Sequence, residues 1–288
     1  MIKVLWIDDE CRDEFGELTE KGLTFVEYAY DKEIDITAVT TYVEGIKLIK
    51  SQPLGWCAVI LDIREQRATE GNAADGYLNA RREIERFQAE RHQKEPYIFT
   101  LSGEKRYHEL DSLIPKEGHC SKRVYDKNHA NYKILFDDIR KIRELSELYK
   151  LQEEYAELLN IASKLGEEAD SRLFSIMYPI FVLNETKDPK WLNEIRKYLE
   201  KFVFPCLKEK KFFPDSCTSM NECSSYIGKE SEAPEYIKRS FHSLIRIVQE
   251  GSHGKTDSDN DVRYGQAPYL LKSCIFELLN IVYWIKSV

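Results

Sequence analysis

Residues 1–10 read MIKVLWIDDE, and residues 57–62 read CAVILD. In each, a short apolar run stops abruptly on carboxylates. Such a run is too short for a helix, and apolar at every position, so it predicts a strand covered on both faces, as in a parallel sheet. Lys3–Ile7 and Cys57–Leu61 set the pattern, and Asp35–Thr40, Pro96–Leu101 (PYIFTL) and Lys122–Asp126 (KRVYD) extend it. Between these runs, Cys11–Gly22, Tyr42–Ser51, Asp75–Arg91 and Tyr107–Leu113 read as helices. Strands and helices that alternate in this way predict an α/β unit built on a doubly wound, five-stranded parallel sheet.

From about Tyr132 the texture changes. KILFDDIRKIRELSELYKLQEEYAELLNIASKL carries apolar residues in steps of three and four, with no Gly or Pro before Gly166. That spacing predicts one long amphipathic helix, or two in line. The segments 171–183, 190–203, 234–251 and 267–286 are also helix-like, separated by loops at Asp188-Pro189, Pro205–Cys223 and Gly251–Gly265. The expected organisation is α/β then all-α: an N-terminal unit over 1–135, a long connecting helix over 136–166, and a helical bundle over 167–288.

Composition narrows the classes. The chain has 288 residues, enough for two ordinary domains, and no apolar run near the roughly 18–20 residues a membrane span needs. The opening residues lack the basic-then-apolar pattern of a secretory signal, so a cytoplasmic protein without membrane association is expected. Seven scattered cysteines read as free thiols, and Cys206, Cys217 and Cys223 lack the close pairing of a zinc knuckle. A net charge of −8 gives no global attraction to nucleic acid, so any such partner needs a local patch.

In an open parallel sheet, chemistry gathers at the carboxyl ends of the strands. Asp8 and Asp9 fall at that end of the first strand and Asp62 at that end of the third. Three carboxylates converging there repel one another unless a hard divalent cation such as Mg²⁺ joins them. Ser102 closes the fourth strand and Lys127 the fifth, adding a hydroxyl and an ammonium suited to a phosphoryl group. Taken singly, Asp8 and Asp9 are equally good helix caps, and Ser102-Gly103 is an ordinary turn.

The ordered set resembles the receiver domain of two-component response regulators, a flavodoxin-like fold. IDDE closes the first strand, LD the third, SG the fourth and a Lys the fifth, while DGYLNARREIERF from Asp75 resembles the helix after the phosphorylation loop. The resemblance covers roughly residues 1–145. It implies Asp62 as phosphoacceptor, with Mg²⁺ held by Asp8, Asp9, Asp62 and the backbone carbonyl of Arg64. It further implies Ser102 and Lys127 on the phosphoryl oxygens, and a sensor histidine kinase or phosphotransfer protein as donor. Three departures stand out. REQRATEGNAA lengthens the loop after Asp62, Asn128 replaces the Pro that usually follows the Lys, and Val124 holds the usual aromatic place with Tyr125 one step late. Lys122 therefore remains an alternative rim lysine.

In the helical half, SFHSLIRIVQEGSHGK places Arg246 and His253 at the end of a helix. An Arg for phosphate charge and a His for proton transfer suffice for metal-free RNA cleavage. The spacing resembles the motif of HEPN domains, helical bundles that often dimerise around it, which implies a ribonuclease or RNA-binding output as the alternative. Ile247 stands where active members commonly have a polar residue, and the flanking acids Glu250, Asp257, Asp259 and Asp261 do not favour RNA. No helix-turn-helix is evident. The favoured expectation is a homodimeric response regulator with a helical, non-DNA-binding output.

Overall fold

The computed structural model describes residues 1–63, 73–103, 114–214, 216–251, 261–263 and 265–288, without the side chains of 73–75, 250 and 251. The chain forms two compact units, Met1–Lys150 and Leu151–Val288.

The first unit is built on five parallel strands, β1 (Ile2–Ile7), β2 (Ile34–Val39), β3 (Ala58–Asp62), β4 (Tyr97–Ser102) and β5 (Tyr125–Asp126), in spatial order β2-β1-β3-β4-β5. Among the described residues, the helices that flank the sheet include α1 (Glu20–Tyr30), α2 (Tyr42–Ser51), α3 (Ala73–Glu90) and α4 (His129–Arg140). Successive strand residues face opposite sides. Leu5, Ile7, Val59, Leu61 and Ile98 pack under Ile49 of α2 and Tyr77, Ile84 and Phe87 of α3. On the other face, Trp6 of β1 meets Phe25 of α1 at 4.3 Å between ring centroids, and Phe25 meets Phe136 of α4 at 4.9 Å. Helices thus cover both faces, which is why β1 is apolar from Val4 to Ile7 and β3 from Ala58 to Leu61.

The first helix lies elsewhere than Cys11–Gly22. Residues 11–19 fold back on themselves through a bridge between Arg12 and Leu18, and α1 begins after Thr19. The Thr19 hydroxyl donates to the Glu10 carbonyl at 2.9 Å and accepts from Gly22 N–H at 3.1 Å, so it caps the helix and ties the loop to it. Asp8 and Asp9 are therefore not its caps.

The single connecting helix over 136–166 is also absent. In its place stand the end of α4, then α5 (Ile142–Leu145), α6 (Glu147–Glu154), α7 (Ala156–Ala162) and a 3-10 turn (Ser163–Leu165). The break at Ser146 has a tertiary cause. Its backbone is extended, its fully buried hydroxyl donates to Glu95 at 2.7 Å, and the same oxygen accepts from Tyr149 N–H at 3.1 Å, capping α6.

The second unit is helical in its described residues. It comprises α7, α8 (Ala169–Phe181), α9 (Lys190–Tyr198), a π-helical turn (Leu199–Val203), α10 (Phe204–Glu209), α11 (Met220–Lys229), α12 (Glu235–Gly251) and α13 (Leu270–Trp284). Ile237, Phe241, Leu244, Ile245 and Val248 of α12 are buried at helical spacing, as are Leu271, Cys274, Ile275, Leu278, Ile281 and Val282 of α13. Two helices occupy the stretch read as a loop over 205–223. Pro205 is the second residue of α10, which continues without a break from the π-helical turn. Ser219 and Glu222 form a reciprocal capping box that starts α11. Among the described residues, no helix is long and apolar enough to cross a membrane.

Candidate functional site

Because β1 and β3 are parallel neighbours with Ile7 opposite Leu61, the residues that follow them emerge side by side. Asp8 and Asp62 are both 3% exposed, and Asp9 is exposed. The strand order reverses between these strands, since β2 lies beyond β1 and β4 beyond β3, and such a reversal opens a crevice at the carboxyl ends. Each of the three acids offers a carboxylate oxygen, and these oxygens lie within 4.8 Å of one another. Asp8 is held by its N–H on Val39 at 3.0 Å, while its Oδ1 accepts from Glu10 N–H at 2.9 Å.

Lys127 completes the cluster. Ser102 pairs with Asp126 across β4 and β5, and Lys127 N–H donates to the Ser102 carbonyl at 3.0 Å, carrying the ladder one residue further. From there the ammonium reaches Asp8 Oδ2 and Asp62 Oδ2, each at 2.7 Å. The register of β5 rests on α4. The Tyr125 hydroxyl and the Ser121 N–H both donate to buried Asp138, and Asn128 caps α4 by accepting from Asn131 N–H at 3.0 Å. Asn128 so fills the place after the lysine with a helix cap. Lys122 donates instead to the Asn131 side chain.

Three carboxylates against one ammonium leave the cluster two charges short of neutrality. Burial, and then the charge of Asp8, push the Asp62 carboxyl well above its ordinary range, against the pull of Lys127. One residue joins the site that the sequence did not single out. The Tyr42 hydroxyl, at the first position of α2, donates to the Asp62 backbone carbonyl. Below Ser102, itself 1% exposed, buried Thr100 shares a 2.7 Å hydrogen bond with the Tyr77 hydroxyl. The only local signal for Tyr42 was the Thr41 cap before it, which accepts from Glu44 N–H at 3.2 Å.

The donor set suits a hard divalent cation: oxygen ligands only, two buried carboxylates and one open to water. Arg64 lies outside the described residues, as does the 107–113 helix. Arg246 is exposed on α12, and His253 lies outside the described residues. The chain matches no known protein-family model, and no curated protein matches it.

Proposed function

We propose that Met1–Lys150 is a response-regulator receiver unit, flavodoxin-like and doubly wound, that takes a phosphoryl group on Asp62 and signals through the helical unit. The strand order β2-β1-β3-β4-β5 is the order of the flavodoxin-like arrangement. The single observation that carries the reading is the Lys127 ammonium, 2.7 Å from both Asp8 and Asp62 within a three-carboxylate cluster at the strand ends.

In this mechanism an Asp62 carboxylate oxygen attacks phosphorus of a phosphohistidine or small acyl phosphate. The new O–P bond forms as the P–N or P–O bond to the donor breaks, and the electron pair leaves with the donor imidazole or carboxylate. Asp8, Asp9, Asp62 and the Arg64 carbonyl would hold Mg²⁺, which supplies positive charge to the phosphoryl oxygens. Lys127 keeps one Asp62 oxygen fixed and offsets its charge before transfer, then gains the phosphoryl oxygens as charge-assisted acceptors. The Ser102 hydroxyl donates to the same group. Tyr42 orients the Asp62 backbone through its carbonyl. A sensor histidine kinase or phosphotransfer protein supplies the phosphoryl group, and the modified rim alters the output of Leu151–Val288.

The test is incubation with acetyl phosphate and Mg²⁺ followed by intact mass. One added phosphoryl mass in the wild type and none in Asp62→Ala is expected. No adduct, or equal labelling of both proteins, overturns the assignment.

A further inference from the structure

None of the fully exposed positions of α13 is charged; Lys272 and Glu277 are half-buried beside them. Within Leu270–Trp284 the exposed positions are Ser273, Phe276, Asn280 and Tyr283, and Tyr269 sits one residue before the helix on the same side. Charged residues make up 32% of the chain, and the exposed positions of α12 include Glu235, Arg239 and Arg246, as a solvated helix face requires. On α13 the corresponding positions are aromatic or small and polar. Tyr269 is 76% exposed, Phe276 51% and Tyr283 48%, three large aromatics on one helix face. The surface widens sideways, since Phe181 of α8 meets Phe276 at 5.3 Å and Tyr155 stacks on Phe181 at 6.0 Å. Tyr283 is anchored at its tip, its hydroxyl donating to Glu157 at 3.5 Å and Lys286 lying 5.6 Å from its ring centroid.

The pattern is symmetric. Tyr269 and Tyr283 lie seven residues to either side of Phe276, each about 10.5 Å away along the axis at 1.5 Å per residue. A two-fold interface needs a patch that complements itself. Any charge at the axis would meet its own copy, and here the axis position is Phe276. We propose that α13 pairs antiparallel with α13 of a second copy of this chain, about a two-fold through Phe276. Phe276 then meets the second copy's Phe276, and Tyr269 meets the second copy's Tyr283. Lys272 approaches Asn280 of the second copy, so no like charges oppose each other along the seam. Phe181 and Tyr155 extend the buried apolar centre.

The full chain is tested by sedimentation equilibrium and by engineered thiols. The wild type is expected to dimerise reversibly. Phe276→Glu is expected to raise the dimer dissociation constant at least ~30-fold, the scale of a central aromatic hot spot, with an unchanged circular dichroism spectrum. Under oxidation Phe276→Cys is expected to form a disulfide-linked dimer. Tyr269→Cys alone is not, whereas Tyr269→Cys mixed with Tyr283→Cys is. If Phe276→Glu fails to fold, Tyr269→Lys, at the most exposed of the three positions, carries the same expectation. A wild type that stays monomeric at about 100 μM overturns the proposal. A dimer that tolerates Phe276→Glu and Tyr269→Lys unchanged overturns it too, by placing the interface elsewhere.

Discussion

Replacing Lys127 with Met removes the ammonium that bridges Asp8 and Asp62 while keeping most of the side-chain volume. Both carboxylates are 2% exposed in their side chains and the lysine 13%, so solvent screens the pair only weakly. Removing one partner of a buried ion pair costs about 3–5 kcal/mol. The low end, about 3 kcal/mol, applies here because the Asp62 carboxyl, already pushed up by burial, takes up a proton instead of staying charged. In a unit of this size that lowers Tm by about 6–12 °C in EDTA. Mg²⁺ displaces that proton and then meets a site one charge more negative than the wild type's, so Lys127→Met is expected to gain more stability from Mg²⁺ than the wild type does. Each tenfold excess of cation over its dissociation constant contributes about 1.4 kcal/mol. Urea unfolding by circular dichroism, with and without Mg²⁺, measures both effects. A variant within about 0.5 kcal/mol of the wild type in EDTA, or one whose deficit is unchanged by Mg²⁺, would refute the reasoning.

Other perturbations probe the supports of the site and of the second unit. Gly22→Ala places a Cβ 2.4 Å from the Cys11 carbonyl oxygen, a backbone atom that cannot turn aside, so despite the better helix propensity of Ala it is expected to cost about 1–3 kcal/mol by thermal unfolding. Because Cys11 belongs to the loop carrying Asp8 and Asp9, the same variant is expected to label more slowly with acetyl phosphate. Ser146→Ala removes the cap of α6 and a hydrogen bond to buried Glu95, with an expected loss of about 1–2 kcal/mol and faster amide exchange at Leu148 and Tyr149. Glu222 accepts from the N–H groups of Thr218 and Ser219, which depresses its carboxyl from 4.5 to about 2. A depressed carboxyl contributes stability that is present above its unfolded value and lost as pH falls through the folded one. Fraying of α11 between about pH 4.5 and 2, read by amide exchange at its first turn and absent in Glu222→Gln, is therefore expected.

Local sequence was informative where burial alone decides conformation. β1, β3 and β4 emerge within about two residues of their apolar runs, because a strand covered on both faces is mostly apolar along its length. The α2 boundaries match the periodicity outright, since Thr41 caps the helix and nothing competes with it. The misread segments share a different cause. Residues 11–19 turn back because Thr19 bonds the Glu10 carbonyl and Arg12 the Ala38 carbonyl, and neither contact is written in a periodicity. The long helix breaks because the Ser146 hydroxyl is claimed by Glu95, fifty-one residues away in sequence.

The candidate site divides along the same line. That carboxylates follow the first and third strands, a hydroxyl the fourth and lysines flank the fifth was determined by the sequence, since each follows directly from where an apolar run stops. Which lysine reaches the carboxylates was decided by tertiary structure. β5 is only two residues long, and its register against β4 depends on Asp138 binding Tyr125 and Ser121. Tyr42 belongs to the site for a similar reason, because packing brings the first turn of α2 against the carbonyl of Asp62. Strand identity is a property of local burial, whereas the meeting of Asp8, Asp62 and Lys127 depends on the order and register of strands that only long-range contacts fix.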